Sequence, residues 1–381
     1  MKRLSLIILV LVIISPLNAL PEDEAVYRGL SNFTKVLDLI ERNYVDKVDS
    51  EELTTNAIEG MLKNLDPYSA YLSPERYKEL EIGTSGEFGG VGMEVAVENG
   101  VVKVISPIEG SPADLAGIKP GDLIIEIEGK PTQGMVVFEA VKLLRGPKGS
   151  KVKITVAREG EGSRDITLTR DVIHIKSVKY KLLDNEIGYV KISQFQENVS
   201  DELKEALSKL ELENGGSLRG LILDLRNNPG GLLDEAIKVA DQFIDKGLIV
   251  SVRGRTSSQS KEYYATKGDS KRDISLVVLV NKGSASASEV VAEALQDSKR
   301  ATIVGSKTFG KGSVQTIIEL DDGSGLKLTT AKFYAPSGRS ISDVGVTPDI
   351  IVEDNDMPDL QMKRAVEILK MSDLGHTVPR G

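Results

Sequence analysis

Apolar and polar positions follow two rhythms along the chain. Leu30, Phe33, Leu37, Ile40 and Tyr44 recur every third or fourth residue, which predicts an amphipathic helix with one apolar seam. Asp49-Ser50-Glu51-Glu52 then reads as the start of a second helix carrying Leu53, Ala57, Met61 and Leu65. That seam can pack inside the chain or against a second copy. Met93 to Val97 alternates as a half-buried strand does, and Val137, Val141 and Leu144 mark another helix. Beyond Glu186, strand-like runs at Ile187–Ile192, Leu221–Leu225, Leu248–Val252, Leu276–Val280 and Thr302–Val304 are separated by helical patterns at Val199–Leu212 and Leu233–Ile244. Strands and helices in alternation predict an α/β core. Met362, Ala365, Val366 and Leu369 predict a last amphipathic helix, for packing or association.

Composition narrows what such a chain can do. Its 381 residues, 40% of them hydrophobic, leave room for two or three domains. A net charge of −9 gives no basic footprint for nucleic acid. Cysteine is absent, so neither disulfides nor thiolate metal sites can form, and His174 and His376 alone make a histidine-rich metal site a poor expectation. Met1-Lys2-Arg3 followed by the apolar Leu4 to Ile14 has the form of an export signal, with Leu17-Asn18-Ala19 offering cleavage after Ala19. The apolar stretch is shorter than the roughly 20 residues of a spanning helix. The expectation is export to a periplasmic or other extracytoplasmic space, with membrane tethering as the uncleaved alternative.

Chemistry concentrates in two neighbouring stretches. Gly283-Ser284-Ala285-Ser286-Ala287-Ser288-Glu289 joins the apolar run Leu276–Val280 to a helical pattern at Val290, Val291, Ala294 and Leu295. A hydroxyl there stands at a helix N-terminus, where backbone N–H groups favour negative charge. The same residues also spell a capping box, Ser286-x-x-Glu289, which needs no catalysis. The second stretch is Thr308-Phe309-Gly310-Lys311-Gly312-Ser313-Val314-Gln315, a lysine between two glycines with Gln315 four residues on, on the same side in helix or strand. Residues 305–312 also approximate a phosphate-binding loop, but Gly312 stands where a Mg²⁺-binding hydroxyl is required and Val314–Ile318 reads as strand, which excludes nucleotide binding. A Ser-His-Asp arrangement would have to use His174, in a strand-like stretch with no acid paired to it in an obvious pattern.

These stretches resemble the carboxyl-terminal processing peptidases, the tail-specific serine protease family, whose motifs read S-A-S-A-S-E and T-F-G-K-G-x-V-Q. The resemblance runs from about residue 30 to 370. It includes Asp66-Pro67-Tyr68-Ser69-Ala70-Tyr71-Leu72, Tyr334-Ala335-Pro336-Ser337-Gly338-Arg339-Ser340-Ile341 and Gly345-Val346-Thr347-Pro348-Asp349, all read as scaffold. It implies Ser286 as nucleophile, Lys311 as general base and Gln315 as its orienting partner, and it alone selects Ser286 over Ser284 and Ser288. It further implies an oxyanion hole from Gly230 or Gly231, in Asp224-Leu225-Arg226-Asn227-Asn228-Pro229-Gly230-Gly231, together with Ala287. No metal or cofactor is called for.

Between Glu87 and Glu159 the order Phe88-Gly89-Gly90-Val91-Gly92, Ser111-Pro112-Ala113, Ala116-Gly117 and Pro120-Gly121-Asp122-Leu123-Ile124 resembles a PDZ domain. Gly89, Gly90, Val91 and Gly92 are candidates for a loop that holds a peptide's terminal carboxylate, with Met93 and Val95 lining the pocket and the following strand pairing with the peptide. Arg145, beside the hinge-like Gly146 and Gly149, is a candidate to couple that groove to the protease body. The expected architecture is multi-domain α/β: a signal or anchor (1–19), a helical segment (22–84), an inserted-looking PDZ domain (87–160), a crotonase- or Clp-protease-like catalytic core (161–355) and a C-terminal helix and tail (356–381). The expected activity is cleavage of exported polypeptides near accessible C-termini. The alternatives are a catalytically silent PDZ adaptor, and an enzyme that waits for an adaptor or activator protein; self-association through the terminal helices stays open.

Overall fold

A computed structural model of the chain describes residues 21–184, 186–267, 274–342, 344–353 and 359–372. The expected signal or anchor, 1–19, lies outside them. Among the described residues no helix is long and apolar enough to cross a membrane. The chain divides into a unit ending at Tyr71 and a larger one from Leu72 onward.

The first unit holds the two helices that the spacing predicts, Pro21–Asn43 and Ser50–Lys63. Asp49 caps the second, its carboxylate accepting from the backbone N–H groups of Glu51 (2.8 Å) and Glu52 (3.2 Å). The apolar seam of the first helix lies open: Leu30, Phe33, Ile40 and Tyr44 are all exposed.

The larger unit opens with the helix Pro74–Ser85 and contains two bodies. The strand Glu87–Gly90 leads into the first body, and Asp171–His174 leads out of it. These two strands pair antiparallel, from Glu87 opposite His174 to Gly90 opposite Asp171, so entry and exit lie side by side, as an inserted domain requires. The inserted body is a sheet of Met93–Glu98, Val101–Pro107, Leu123–Ile127, Lys151–Arg158 and Gly162–Thr169, in that order, with the helix Val137–Leu144. Val102, Val104, Ile124, Ile154 and Leu168 form its core. The last strand pairs with its neighbour over its whole length, so the domain extends past residue 160, the boundary expected from sequence.

The second body is built on a six-stranded sheet ordered Val178–Leu183, Ile187–Ile192, Gly220–Asp224, Ser275–Val280, Thr302–Gly305 and Ile350–Ile351, parallel after the first pair. The helices Val199–Asn214, Leu233–Asp241 and Ala287–Asp297 cover one face, burying Leu203, Leu207, Val239 and Val291 in the main core. The helix Leu360–Ser372 covers the other, with Ala365, Ile368 and Leu369 packed against Ile222, Val277 and Val304. The C-terminal helix is therefore a layer of the core rather than a separate tail. Leu248–Gly254, which contains the strand expected at Leu248–Val252, belongs to a second, antiparallel sheet with Lys261–Tyr264, Gly325–Tyr334 and Ser313–Glu319. A short apolar run specifies a buried strand but not the sheet it joins.

Candidate active site

Parallel strands deliver their loops to one edge of the sheet, and three of those loops converge here. The buried strand Ser275–Val280 passes through Asn281 to Ala285 and turns into the helix Ala287–Asp297 at Ser286. Ser286 has φ 54° and ψ −115°, outside the regions open to an L-residue without strain. The Ser286 N–H donates to Glu289 Oε2 at 2.8 Å, whereas the Ser286 hydroxyl caps no helical N–H. The two rival serines are committed to scaffold. Ser284 Oγ donates to the Leu225 carbonyl at 2.8 Å and accepts from Asn281 N–H at 3.0 Å; Ser288 Oγ donates to the Asn228 carbonyl at 2.9 Å, and both serines are fully buried.

Gly230 belongs to the second loop, after the buried strand Gly220–Asp224. A side chain there would begin 2.8 Å from Ser286 Cβ and 3.0 Å from Ala287 N, and its φ of 101° suits only glycine. At Gly231 a Cβ would fall 2.1 Å from the Phe195 carbonyl oxygen. The loop is laced to its neighbours: Phe195 N–H donates to Gly230 O, and Leu232 N–H to Phe195 O. Asn228 Oδ1 takes the Gly230 N–H at 2.9 Å. Among the described residues the N–H groups of Gly231 and Ala287 have no hydrogen-bond partner; Ala287 N–H is one of the orphan donors of a helix N-terminus.

The third loop carries Lys311, half-buried between Gly310 and Gly312. Burial, then the neighbouring ammonium of Lys327, hold its amine below the ordinary lysine value of 10.5, and Glu289 opposes them. Gln315 stands on the strand Ser313–Glu319 just after a register shift between Val314 and Gln315, and its amide nitrogen donates to Ser313 Oγ at 2.8 Å and Thr329 Oγ1 at 3.4 Å. The extra residue of this bulge is Thr330 on the partner strand, so Gln315 comes opposite Thr329.

Sequence reasoning saw Glu289 only as a helix cap. Fully buried, its Oε2 accepts from the backbone N–H groups of both Ser286 (2.8 Å) and Lys311 (2.9 Å), and its Oε1 from Gly310 N–H (2.7 Å) and Thr308 Oγ1 (2.5 Å). One carboxylate thus fixes the serine turn and the lysine loop to each other. The capping-box spacing was the signal for the Ser286 contact; nothing local announces the long-range one. His174, by contrast, is an exposed strand residue, and the acid missing from its sequence pattern is cross-strand Glu87, 3.0 Å from Nδ1. Among the described residues no group of three His, Cys, Asp or Glu side chains is arranged to hold a metal.

In the inserted body, a cavity of about 210 Å³ is lined by Phe88, Val91, Gly92, Met93, Val95, Val141, Leu144 and Arg145, among others. Four of the six expected peptide contacts are there. Gly89 and Gly90 are not: they are strand residues, and Gly89 lies so close to Gly146 that a Cβ would meet its carbonyl oxygen at 2.2 Å. Arg145 stacks over Phe88 with its guanidinium 4.7 Å from the ring centre, and reaches both carboxylate oxygens of Glu79 at 2.7 and 3.0 Å. Its Nε is buried without a partner.

Comparison with known proteins agrees with this anatomy. Residues 186–352 match the model of peptidase family S41, 103–158 that of the PDZ domain, and 17–76 that of the activating protease CtpB N-terminal domain. The class is a serine-type peptidase of the S41 fold with a PDZ domain. The carboxy-terminal-processing protease of Bartonella bacilliformis is 46% identical over 333 residues, 87% of this chain and 76% of its own length. The carboxy-terminal processing protease CtpA of Bacillus subtilis is 41% identical, with 90% and 73% covered. The chain belongs to peptidase family S41, among the carboxy-terminal processing proteases. A solved structure, the photosystem II D1 C-terminal processing protease, aligns over 88% of this chain and 96% of its own at 33% identity, with a TM-score of 0.49.

Proposed function

We propose that this chain is an exported serine endopeptidase in which Ser286 is the nucleophile and Lys311 the general base, acting on polypeptides whose C-termini its PDZ domain holds. The observation that carries the reading is the single Glu289 oxygen shared by the backbone of Ser286 and Lys311. It brings together two residues with no reason to meet in a scaffold, one strained with its hydroxyl uncapped, the other a half-buried amine.

Lysine at its ordinary value is protonated near neutrality and cannot accept a proton. Burial and a neighbouring cation favour the neutral amine, which takes the Ser286 proton as the oxygen attacks the peptide carbonyl. The developing oxyanion accepts from Gly231 and Ala287 N–H. Gly230, whose own N–H is held by Asn228, supplies the close approach. Lys311 then protonates the leaving amine, and water hydrolyses the acyl-enzyme. With its amide nitrogen held by two hydroxyls, Gln315 has its carbonyl oxygen to orient Lys311.

Arg145 is the proposed coupling residue. A peptide carboxylate in the groove competes for its guanidinium with Glu79, on the helix Pro74–Ser85. That helix touches the oxyanion side of the core, where the Gly83 carbonyl accepts from Gln194 and Gln196 (3.1 Å each) and Thr84 O from Glu197 N–H, on either side of Phe195.

The test is cleavage of an unstructured polypeptide with an apolar free C-terminus by the mature protein and its Ser286→Ala and Lys311→Ala variants. Loss in both, with folding intact, supports the Ser/Lys enzyme. Cleavage that survives Ser286→Ala removes the nucleophile assignment. Tail binding without cleavage by the unaltered protein supports the adaptor, or an enzyme that waits for its activator.

A further inference from the structure

Gly231 and Ala287 stand on different loops, and a pair of asparagines joins those loops. Asn281 follows the buried strand Ser275–Val280 and begins the nucleophile turn, while Asn227 lies in the glycine loop ahead of Gly230 and Gly231. Asn281 Oδ1 accepts from the Asn227 N–H at 2.9 Å and the Gly283 N–H at 3.0 Å, and Asn281 Nδ2 donates to Asn227 Oδ1 at 3.0 Å. Two backbone donors on one atom identify it as the carbonyl oxygen, so the other end of the amide is the donor. A carboxylate at 281 would lack that donor, and an aliphatic side chain would lack both ends. Asn281 is buried, where backbone donors left without an acceptor are costly. Asn227 has φ 58°, a conformation that asparagine tolerates better than most residues. Gly283 makes room for it: a Cβ there would fall 2.7 Å from Asn227 Oδ1 and 2.9 Å from Asn227 Cα.

We propose that Asn281 and Asn227 are positioning residues that set the spacing between the two oxyanion donors, the N–H groups of Gly231 and Ala287. This rests on the reading of those groups as the oxyanion hole. Such donors act at about 2.7–3.1 Å from the oxygen that develops charge, so two donors on separate loops serve only while the loops keep a fixed separation. Ser284 Oγ donates to the Leu225 carbonyl, and Ala285 N–H and Ser288 Oγ donate to the Asn228 carbonyl. Those contacts grip carbonyls of the glycine loop. The asparagine pair adds a grip on one of its N–H groups and one of its side chains. An Asx turn that merely began the nucleophile turn would need only the bond from Gly283 N–H. The two bonds to Asn227 reach across to the other loop, and they are what the proposal assigns to the chemistry. Asn281 thus does between the nucleophile turn and the glycine loop what Glu289 does between that turn and the lysine loop.

The experiment measures kcat and KM on a quenched peptide for the unaltered protein, Asn281→Ala, Asn227→Gly and the double variant. It also measures inhibition by the aldehyde of the same peptide, whose hemiacetal oxygen sits where the oxyanion would. Asn227 is exposed and glycine accepts its backbone conformation, so Asn227→Gly tests the pair even if Asn281→Ala fails to fold. Beside the kinetics runs NMR of the Gly231 and Ala287 backbone amides. We expect kcat to fall on the order of tenfold in Asn281→Ala and about threefold in Asn227→Gly, with aldehyde binding weakened by the same factors and KM within about twofold. The double variant should match Asn281→Ala, because the pair acts as a unit. Both amide resonances should shift in each variant. A lower Tm with kcat and aldehyde binding unchanged, losses that multiply in the double variant, or unmoved amide resonances overturn the proposal. The amide resonances need no catalysis, so they separate failure here from failure of the Ser/Lys reading, which Ser286→Ala and Lys311→Ala decide.

Discussion

Glu289→Gln separates geometry from electrostatics at this site. The substitution keeps size and one carbonyl oxygen. That oxygen can serve Gly310 and Thr308, but the new amide nitrogen then faces two donors, the N–H groups of Ser286 and Lys311, which now share Oε2. Turning the amide merely moves the conflict to the other pair. Hydrogen bonds to a charged group contribute about 1.5–3 kcal/mol each, so losing two costs roughly 3–6 kcal/mol at the one point that ties the loops together. If about half of that appears as lost alignment in the transition state, kcat falls on the order of 100-fold. Electrostatics alone argues the other way. Glu289 raises the Lys311 value, so neutralising it leaves more free amine at neutral pH. The assay is kcat and KM on a fluorogenic peptide between pH 6 and 9, with thermal unfolding of both proteins. A large fall in kcat with little change in KM, in a variant that still unfolds cooperatively, is the expected result. Activity within twofold of the unaltered protein, or higher, would refute the idea that Glu289 positions the pair.

Four other outcomes follow from the same contacts. For the enzyme proposed here, kcat/KM should rise with pH through a Lys311 titration below 10.5, since desolvation and Lys327 disfavour the protonated form. Because the unfolded chain binds that proton more readily, Lys311→Met should raise stability at neutral pH, the gain fading towards 10.5, as denaturant melts across pH would show. Gly230→Ala should cut activity at least about 100-fold and lower Tm, because its Cβ would press on Ser286 and the Ala285 carbonyl oxygen; unchanged activity would exclude the close approach as a requirement. Arg145→Ala should abolish stimulation of cleavage by a PDZ-binding peptide while the peptide still binds, measured by paired kinetics and calorimetry; stimulation left intact would end the coupling proposal.

Legibility in the sequence tracked how local each feature is. The α/β core was readable because runs such as Leu276–Val280 and Ile187–Ile192 are too apolar to be anything but buried. Their sheet membership was not, as Leu248–Gly254 shows, because pairing depends on distant partners. Ser286 stood out only through resemblance; the structure supplies a physical reason, in that Ser284 and Ser288 give their hydroxyls to carbonyls about 60 residues away in sequence. Gly89 and Gly90 read as a loop because glycine is the usual sign of one, yet here glycine serves a strand pressed against Gly146. Glu289 was visible as a cap and invisible as a clasp, since its partners at Thr308, Gly310 and Lys311 lie across the fold.

The strained turn at Ser286 explains why so many contacts converge there. A non-glycine residue in that conformation costs about 1–3 kcal/mol and relaxes unless its surroundings forbid it. Three separate features forbid it here. Gly230 packs its backbone close beside Ser286 and the Ala285 carbonyl oxygen, Glu289 holds the Ser286 N–H, and Asn228 anchors both flanks by accepting from Ala285 N–H and Ser288 Oγ. Asn228 in turn reaches the first parallel strands through its amide donation to Ile192 O. The hydroxyl is therefore held in place through its own backbone and flanks, by Gly230, Asn228 and the Glu289 carboxylate, rather than by any bond of its own. That leaves it unengaged for a substrate, and it makes the loops, not the serine, the element whose order should decide whether the site is active.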